Sequence, residues 1–130
     1  MSVADLDGTV KWYQENLGFV VRKKIDLPKY SLRMAFAELN GFQLELIEFK
    51  GAVLFERIQK QFPDVDDREK IQGLGKLALF VEDLRGVAKE LKGKGVKFIR
   101  EPTDDKEFRV RYFIVTDNSG NWLQFFQKLD

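Results

Sequence analysis

The chain repeats itself. Val3-Ala4-Asp5-Leu6 is matched by Val81-Glu82-Asp83-Leu84, Gly18 by Gly95, Gly41 by Gly120 and Leu44 by Leu123, at a nearly constant offset. A repeat that keeps strand, helix cap, helix stop and hairpin turn in the same order marks a duplicated supersecondary unit. Each copy closes on an alternating run, Phe42 to Glu48 and Asn121 to Gln127. In these runs Leu44/Leu46 and Leu123/Phe125 form the strictly apolar set, the period-2 signature of a half-buried strand. The opposite faces carry Gln43, Glu45 and Ile47 in one copy and Trp122, Gln124 and Phe126 in the other, so Glu45 in the first stands where Gln124 stands in the second.

The local signals give each copy the same elements. Asp5 or Asp7 caps a helix to about Asn16, with Val10, Tyr13 and Leu17 inward and Gly18 as its stop. Strands follow at Phe19 to Asp26 and Tyr30 to Leu39, the latter with Leu32, Met34 and Phe36 as its apolar face. Asn40-Gly41 is the pair a type I′ hairpin needs, since both residues tolerate positive φ. Leu54, Phe55, Ile58 and Phe62 have helical spacing, and Pro63 stops that helix. The acidic loop Asp64 to Lys70 lacks the spacing and central glycine of a calcium loop and reads as a solvated linker. The second copy runs from a strand at Lys76 to Val81 through a helix capped by Asp83, with Leu84, Val87 and Leu91 inward, to Gly95. Strands at Val96 to Arg100 and Phe108 to Val115 come next, separated by Pro102 and the loop TDDKE. In the latter strand Val110, Tyr112 and Ile114 oppose Arg109, Arg111, Phe113 and Val115. The expected fold is α+β: two tandem β-α-β-β-β modules forming a curved mixed β-sheet around a cleft. Module one is 1–49, a linker with a helix is 50–73, and module two is 74–130.

Composition closes several routes. Twenty-two basic and 21 acidic residues leave a net charge of +1, which gives no argument for nucleic acid or an anionic membrane surface. No apolar run approaches a membrane span, and MSVADLDG has neither the basic nor the apolar region of a signal peptide. Cysteine is absent, which fits a cytoplasmic protein. Histidine is absent too, so a Ser-His-Asp triad is impossible and any metal would depend on oxygen ligands.

Three pieces together resemble the vicinal oxygen chelate superfamily, which includes glyoxalase I, bleomycin-resistance proteins, fosfomycin-resistance enzymes and extradiol dioxygenases. They are Val3-Ala4-Asp5-Leu6 with Trp12-Tyr13 and Leu17-Gly18-Phe19; Leu44-Glu45-Leu46-Ile47-Glu48; and Leu79-Phe80-Val81-Glu82-Asp83-Leu84 with Asp117-Asn118-Ser119-Gly120-Asn121. In metal-dependent members each half supplies a histidine from its first strand and a glutamate from its last. The resemblance places Glu45 at the first glutamate position, Gln124 at the second and Lys76 at the second histidine position, while the first histidine position would precede Met1. Lysine is protonated near neutral pH and repels a cation. The resemblance therefore implies the metal-free, bleomycin-resistance-type branch, in which a drug is sequestered in grooves formed by a dimer.

Strand alternation yields a cleft-facing set of Arg33, Glu45, Lys76, Phe80, Arg111, Phe113, Trp122, Gln124 and Phe126. Aromatic walls with a few polar groups are how small-molecule pockets are built. Two readings of the cations stand. Arg33, Arg111 and Lys76 hold a carboxylate or phosphate, or the arginines neutralise Glu45 on a wet sheet face. Trp122 and Phe126 stack on a planar ligand or belong to an interface or core. Glu45 becomes a general base only if burial raises its pKa. The functional expectation is a metal-independent binding protein for a small, planar or antibiotic-like molecule, without cofactor, acting by sequestration as a homodimer, with catalysis left open. The second reading is a glyoxalase- or dioxygenase-like enzyme with a degenerate metal site, whose missing histidine an upstream N-terminus would restore.

Overall fold

The structure, a computed structural model, describes residues 1–65 and 68–129 and divides the chain into two compact units, Met1–Asp66 and Asp67–Asp130. The fold is α+β. Among the described residues three α-helices accompany two sheets, a three-stranded one in the first unit and a four-stranded one in the second.

In the first unit, helix α1 (Leu6–Leu17) starts at Asp5, whose carboxylate accepts from the Gly8 amide at 3.2 Å. It stops at Gly18, whose φ of 78° is a left-handed conformation that glycine adopts without a Cβ clash. Strands β1 (Val20–Leu27), β2 (Leu32–Leu39) and β3 (Phe42–Phe49) pair antiparallel in the order β1-β2-β3. The β2–β3 turn has Asn40 and Gly41 at φ 49° and 81°, as a type I′ hairpin requires. Beyond β3, Met1 to Val3 run parallel to its far side. Val3 donates to the Ile47 carbonyl at 2.8 Å and Ile47 donates to the Met1 carbonyl at 2.8 Å. Helix α2 (Phe55–Gln61) ends the unit. Of the acidic loop expected at 64–70, residues 66 and 67 lie outside the described residues.

The second unit repeats this plan. Strand β4 (Lys76–Phe80) pairs parallel with β7 (Trp122–Lys128), and β6 (Val110–Thr116) and β5 (Phe98–Asp105) continue the sheet in the order β4-β7-β6-β5. Helix α3 (Leu84–Gly93) is capped by Asp83, whose side chain accepts from the Gly86 amide at 2.9 Å. The correspondence extends to single bonds: Val81 donates to the Phe126 carbonyl at 2.9 Å, as Val3 does to that of Ile47. It also reaches the irregularities, since β1 slips register between Val21 and Lys23 and β5 slips between Phe98 and Arg100.

Two expectations change. Pro102 does not break its strand. Strand β5 passes through it to Asp105 with a second register shift between Arg100 and Thr103. A proline is tolerated there because β5 is an edge strand, where a missing N–H costs no ladder bond on the outer side. In β2 the buried residues are Ala35 and Ala37, while Leu32, Met34 and Phe36 are half-buried on the opposite face. The core side of this sheet takes small residues from β2, and the bulk comes from Leu44 and Leu46 on β3 and from Leu6, Val10 and Tyr13 on α1.

Each unit has its own core. In the first, Tyr13 meets Phe19 edge-on with centroids 5.4 Å apart. In the second, Phe113 stacks on Phe125 at 5.0 Å and contacts Phe98 at 5.1 Å, with Leu84, Ala88, Leu91, Val115 and Leu123 also buried. Among the described residues no helix is long and apolar enough to cross a membrane. Truncating the core residue Leu123 to Ala should lower unfolding stability by about 2–5 kcal/mol. Removing the cap with Asp83→Ala should cost only about 0.5–2 kcal/mol. Urea denaturation of the two variants checks both size and order.

Candidate functional site

The register of each sheet decides which side chains can meet. In the first unit the face toward α1 carries Arg33, Ala35 and Ala37 from β2 and Leu44, Leu46 and Glu48 from β3. The opposite, open face carries Met34, Phe36, Glu45 and Ile47, with Phe36 directly across from Glu45. Arg33 and Glu45 therefore lie on opposite faces, which corrects the expectation that they share one. Alternation along β2 puts Arg33 with the alanines, and the alanines are the buried set.

Arg33 belongs to an ion cluster at the start of α1. It donates to Asp7 and, at 3.5 Å, to Glu48 Oε2, while Lys24 Nζ donates to Asp7 Oδ1 at 2.8 Å. Glu48 Oε2 also accepts from the Leu6 backbone amide at 2.6 Å, the first amide of the helix. Hydrogen bonds from Lys24 and Arg33 lower the Asp7 pKa from 3.8 to about 2, and the Asp7 carboxylate raises that of Arg33. Glu45 itself is exposed, so the burial that a general-base role would need is absent.

The second unit has the same two-sidedness. Leu123, Phe125, Phe113 and Val115 face the core, and Arg111 shares their side. Its Nε and Nη2 both bond Asp104 on the neighbouring strand, the latter at 2.8 Å. This bidentate pair raises the Arg111 pKa and lowers that of Asp104. Gln127, also on this side, accepts from the Leu84 amide at 3.3 Å, as Glu48 does from Leu6. Arg111 and Phe113 are thus not on the cleft face, a second correction. Phe113 is 0% exposed and is held between Phe98 and Phe125.

The open face of the second sheet does hold a cavity, of about 460 Å³. Its floor is a row across four strands: Arg100 on β5, Ile114 on β6, Gln124 on β7 and Ala78 on β4 are successive register partners. Tyr112 and Phe126, paired in the next row, and Phe108 add aromatic walls. Lys76, Glu69 and Asp105 supply further polar rim groups. Lys76 Nζ is ion-paired with Glu69, and Arg100 Nη1 donates to the Tyr112 hydroxyl at 2.7 Å. Of the expected residues the structure brings Lys76, Gln124 and Phe126 into this cavity. Phe80 packs edge-on against Phe126 at 5.8 Å without lining it, and Trp122 shares the face one row further along. Arg100, Asp105, Phe108, Tyr112 and Ile114 were missed. For Tyr112 and Ile114 the signal was present in the pattern Val110, Tyr112, Ile114. Arg100 was missed because the register shifts of β5 break the alternation counted along that strand.

The cavity also tests whether these residues suit a metal. Lys76 and Gln124 sit on one face of adjacent strands, but one is an amine already paired with a carboxylate and the other an amide. The chain has neither histidine nor cysteine. Among the described residues no group of three or more carboxylate, imidazole or thiol ligands comes together. The donor set does not fit a transition-metal centre.

The sequence model of the Glyoxalase/Bleomycin resistance protein/Dioxygenase superfamily matches residues 1–125. A protein of Synechocystis sp. named "Probable lactoylglutathione lyase" is 27% identical over 129 residues, covering 96% of this chain and 88% of its own length. The Bacillus subtilis protein YurT is 31% identical over 130 residues, covering 97% of this chain and 93% of its own. Among solved structures, glyoxalase I from Zea mays is similar with a TM-score of 0.73 at 27% identity over 99% of this chain. This chain spans only 43% of the maize protein.

The Asp7 cluster gives a pH prediction. A carboxylate with a depressed folded pKa adds stability that is present above its unfolded value of about 3.9 and lost as pH falls toward the folded value. Acidification between about pH 4 and pH 2 should therefore lower the melting temperature of the wild type more than that of Asp7→Asn, with the side chain's exposure keeping the difference small. Thermal melts across this range check it.

Proposed function

We propose that this chain, which belongs to the Glyoxalase/Bleomycin resistance protein/Dioxygenase superfamily, is a metal-independent small-molecule binding protein that sequesters a planar ligand on the open face of its second sheet. The observation that carries the reading is the character of the cavity: an amine and an amide, Lys76 and Gln124, stand where the metal-dependent resemblance expects a histidine and a glutamate. Neither an amine engaged with Glu69 nor a neutral amide belongs to the donor types that hold a transition metal. What remains is a chamber of aromatic and aliphatic side chains with a few polar groups, of the size and composition of small-molecule sites. Phe126 and Tyr112 offer ring faces for stacking. Planar antibiotics fall within this class of ligand. The reading also takes the protein to be a cytoplasmic homodimer, supported by exposed Tyr30, Phe49, Val53 and Phe62 on the first unit. A partner subunit would take such side chains out of water.

The curated relative named as a lactoylglutathione lyase supports a second reading, an enzyme of that type working with an altered site. One set of measurements separates the two. The purified protein is analysed for bound nickel, zinc, iron and manganese, before and after incubation with each, and assayed for formation of lactoylglutathione. The expected result is no stoichiometric metal, no turnover, and recovery of bound aromatic ligand chemically unchanged. Stoichiometric metal with turnover would establish the lyase and end the sequestration reading. Sedimentation should show a dimer; a monomer at micromolar concentration removes that part of the reading.

A further inference from the structure

We infer that the cavity of the second sheet selects a planar ligand bearing a single negative charge, a carboxylate on a flat aromatic frame, and that Arg100 is its anchor. The inference deepens the binding reading above and rests on it. It follows from what each charged group on the cavity wall is already engaged in. Lys76 and Glu69 are paired with each other. Asp105 Oδ1 accepts from the backbone amides of Glu107 and Phe108 at 3.0 and 3.1 Å, so its carboxylate closes the β5–β6 turn. Arg100 is different. It donates Nη1 to the Tyr112 hydroxyl at 2.7 Å, its guanidinium lies 5.7 Å from the centre of the Tyr112 ring, and it meets no carboxylate among the described residues. A guanidinium has five N–H donors in a planar fork, and most of this fork is left for a ligand.

Geometry adds the shape of that ligand. Arg100, Ile114 and Gln124 are register partners on three adjacent strands, so the cation and the amide flank an aliphatic floor. Neighbouring strands are about 4.8 Å apart, which separates the two backbones by roughly 9.5 Å. That span suits a molecule of two fused rings lying on Ile114, with Tyr112 and Phe126 beside it. Gln124 is half-buried, and its side-chain amide makes no hydrogen bond among the described residues. It can meet a polar substituent at the far end. Arginine binds a carboxylate through two parallel hydrogen bonds, a geometry a neutral amide cannot return.

The test compares 2-naphthoate with 2-naphthamide, the same frame with and without the charge, by titration calorimetry on the full chain. The wild type should bind the naphthoate roughly tenfold or more tightly than the amide. Arg100→Gln should abolish the preference for naphthoate over the amide, while Arg100→Lys should retain part of it. Circular dichroism confirms that both variants are folded. Equal binding of the two compounds by the wild type, or an undiminished preference in Arg100→Gln, would overturn the anchor and leave the sequestration reading standing. Binding of neither compound at millimolar concentration would defeat that reading and this inference together.

Discussion

The first amide of each major helix is tied to the last strand of its own unit by one side chain, Glu48 to Leu6 and Gln127 to Leu84. Helix starts carry several amides with no partner inside the helix, and an unpaired one beside a packed sheet is costly. Closing the amide with a residue from the last strand fixes that residue on the helix side of the sheet. Alternation then assigns every other position of the strand. Glu45 and Gln124, each three residues earlier, are forced to the face the helix does not cover. The core, the cap and the open face are thus consequences of a single parity, set once in each unit.

This explains why the architecture was legible and parts of the site were not. The repeat, the Asp5 and Asp83 caps, the glycine stops and the alternation of the closing strands are local signals, and the structure realises each as a bond or a dihedral. Faces of the middle strands depend instead on how long the turn to the next strand is. In the first unit Leu39 pairs with Phe42 across two residues. In the second, Asp117 donates to the Asn121 carbonyl across three. That one-residue difference reverses parity: Phe36 lies opposite Glu45, whereas Ile114 lies opposite Gln124 and Phe113 opposite Phe125. Taking Leu32, Met34 and Phe36 in β2, and Val110, Tyr112 and Ile114 in β6, as the core faces placed Arg33, Arg111 and Phe113 on the wrong side.

Charge was harder to read for a related reason. Arginines were expected to be either ligand anchors or counterions to Glu45. Arg33 and Arg111 are counterions, but to Asp7, Glu48 and Asp104, on the helix side. These pairs are partly exposed, so each adds little stability by itself. They orient side chains around the helix start and the β5–β6 hairpin and withdraw two of the chain's cations from the open face. Of the cations that stay there, Arg100 sits on a strand made irregular by a bulge, where alternation counted from sequence loses its place.

The same irregular strand has a bearing on assembly. Strand β5 is an outer edge of its sheet, and an edge with regular unpaired amides is a template onto which another chain can add. Pro102 removes one of those amides, and the register shifts on both sides of Arg100 turn the neighbouring groups out of a regular ladder. A strand adding along β5 would meet a missing donor at Pro102 and an interrupted ladder beside it. The distortion that brings Arg100 into the cavity wall also keeps that edge from recruiting a foreign strand.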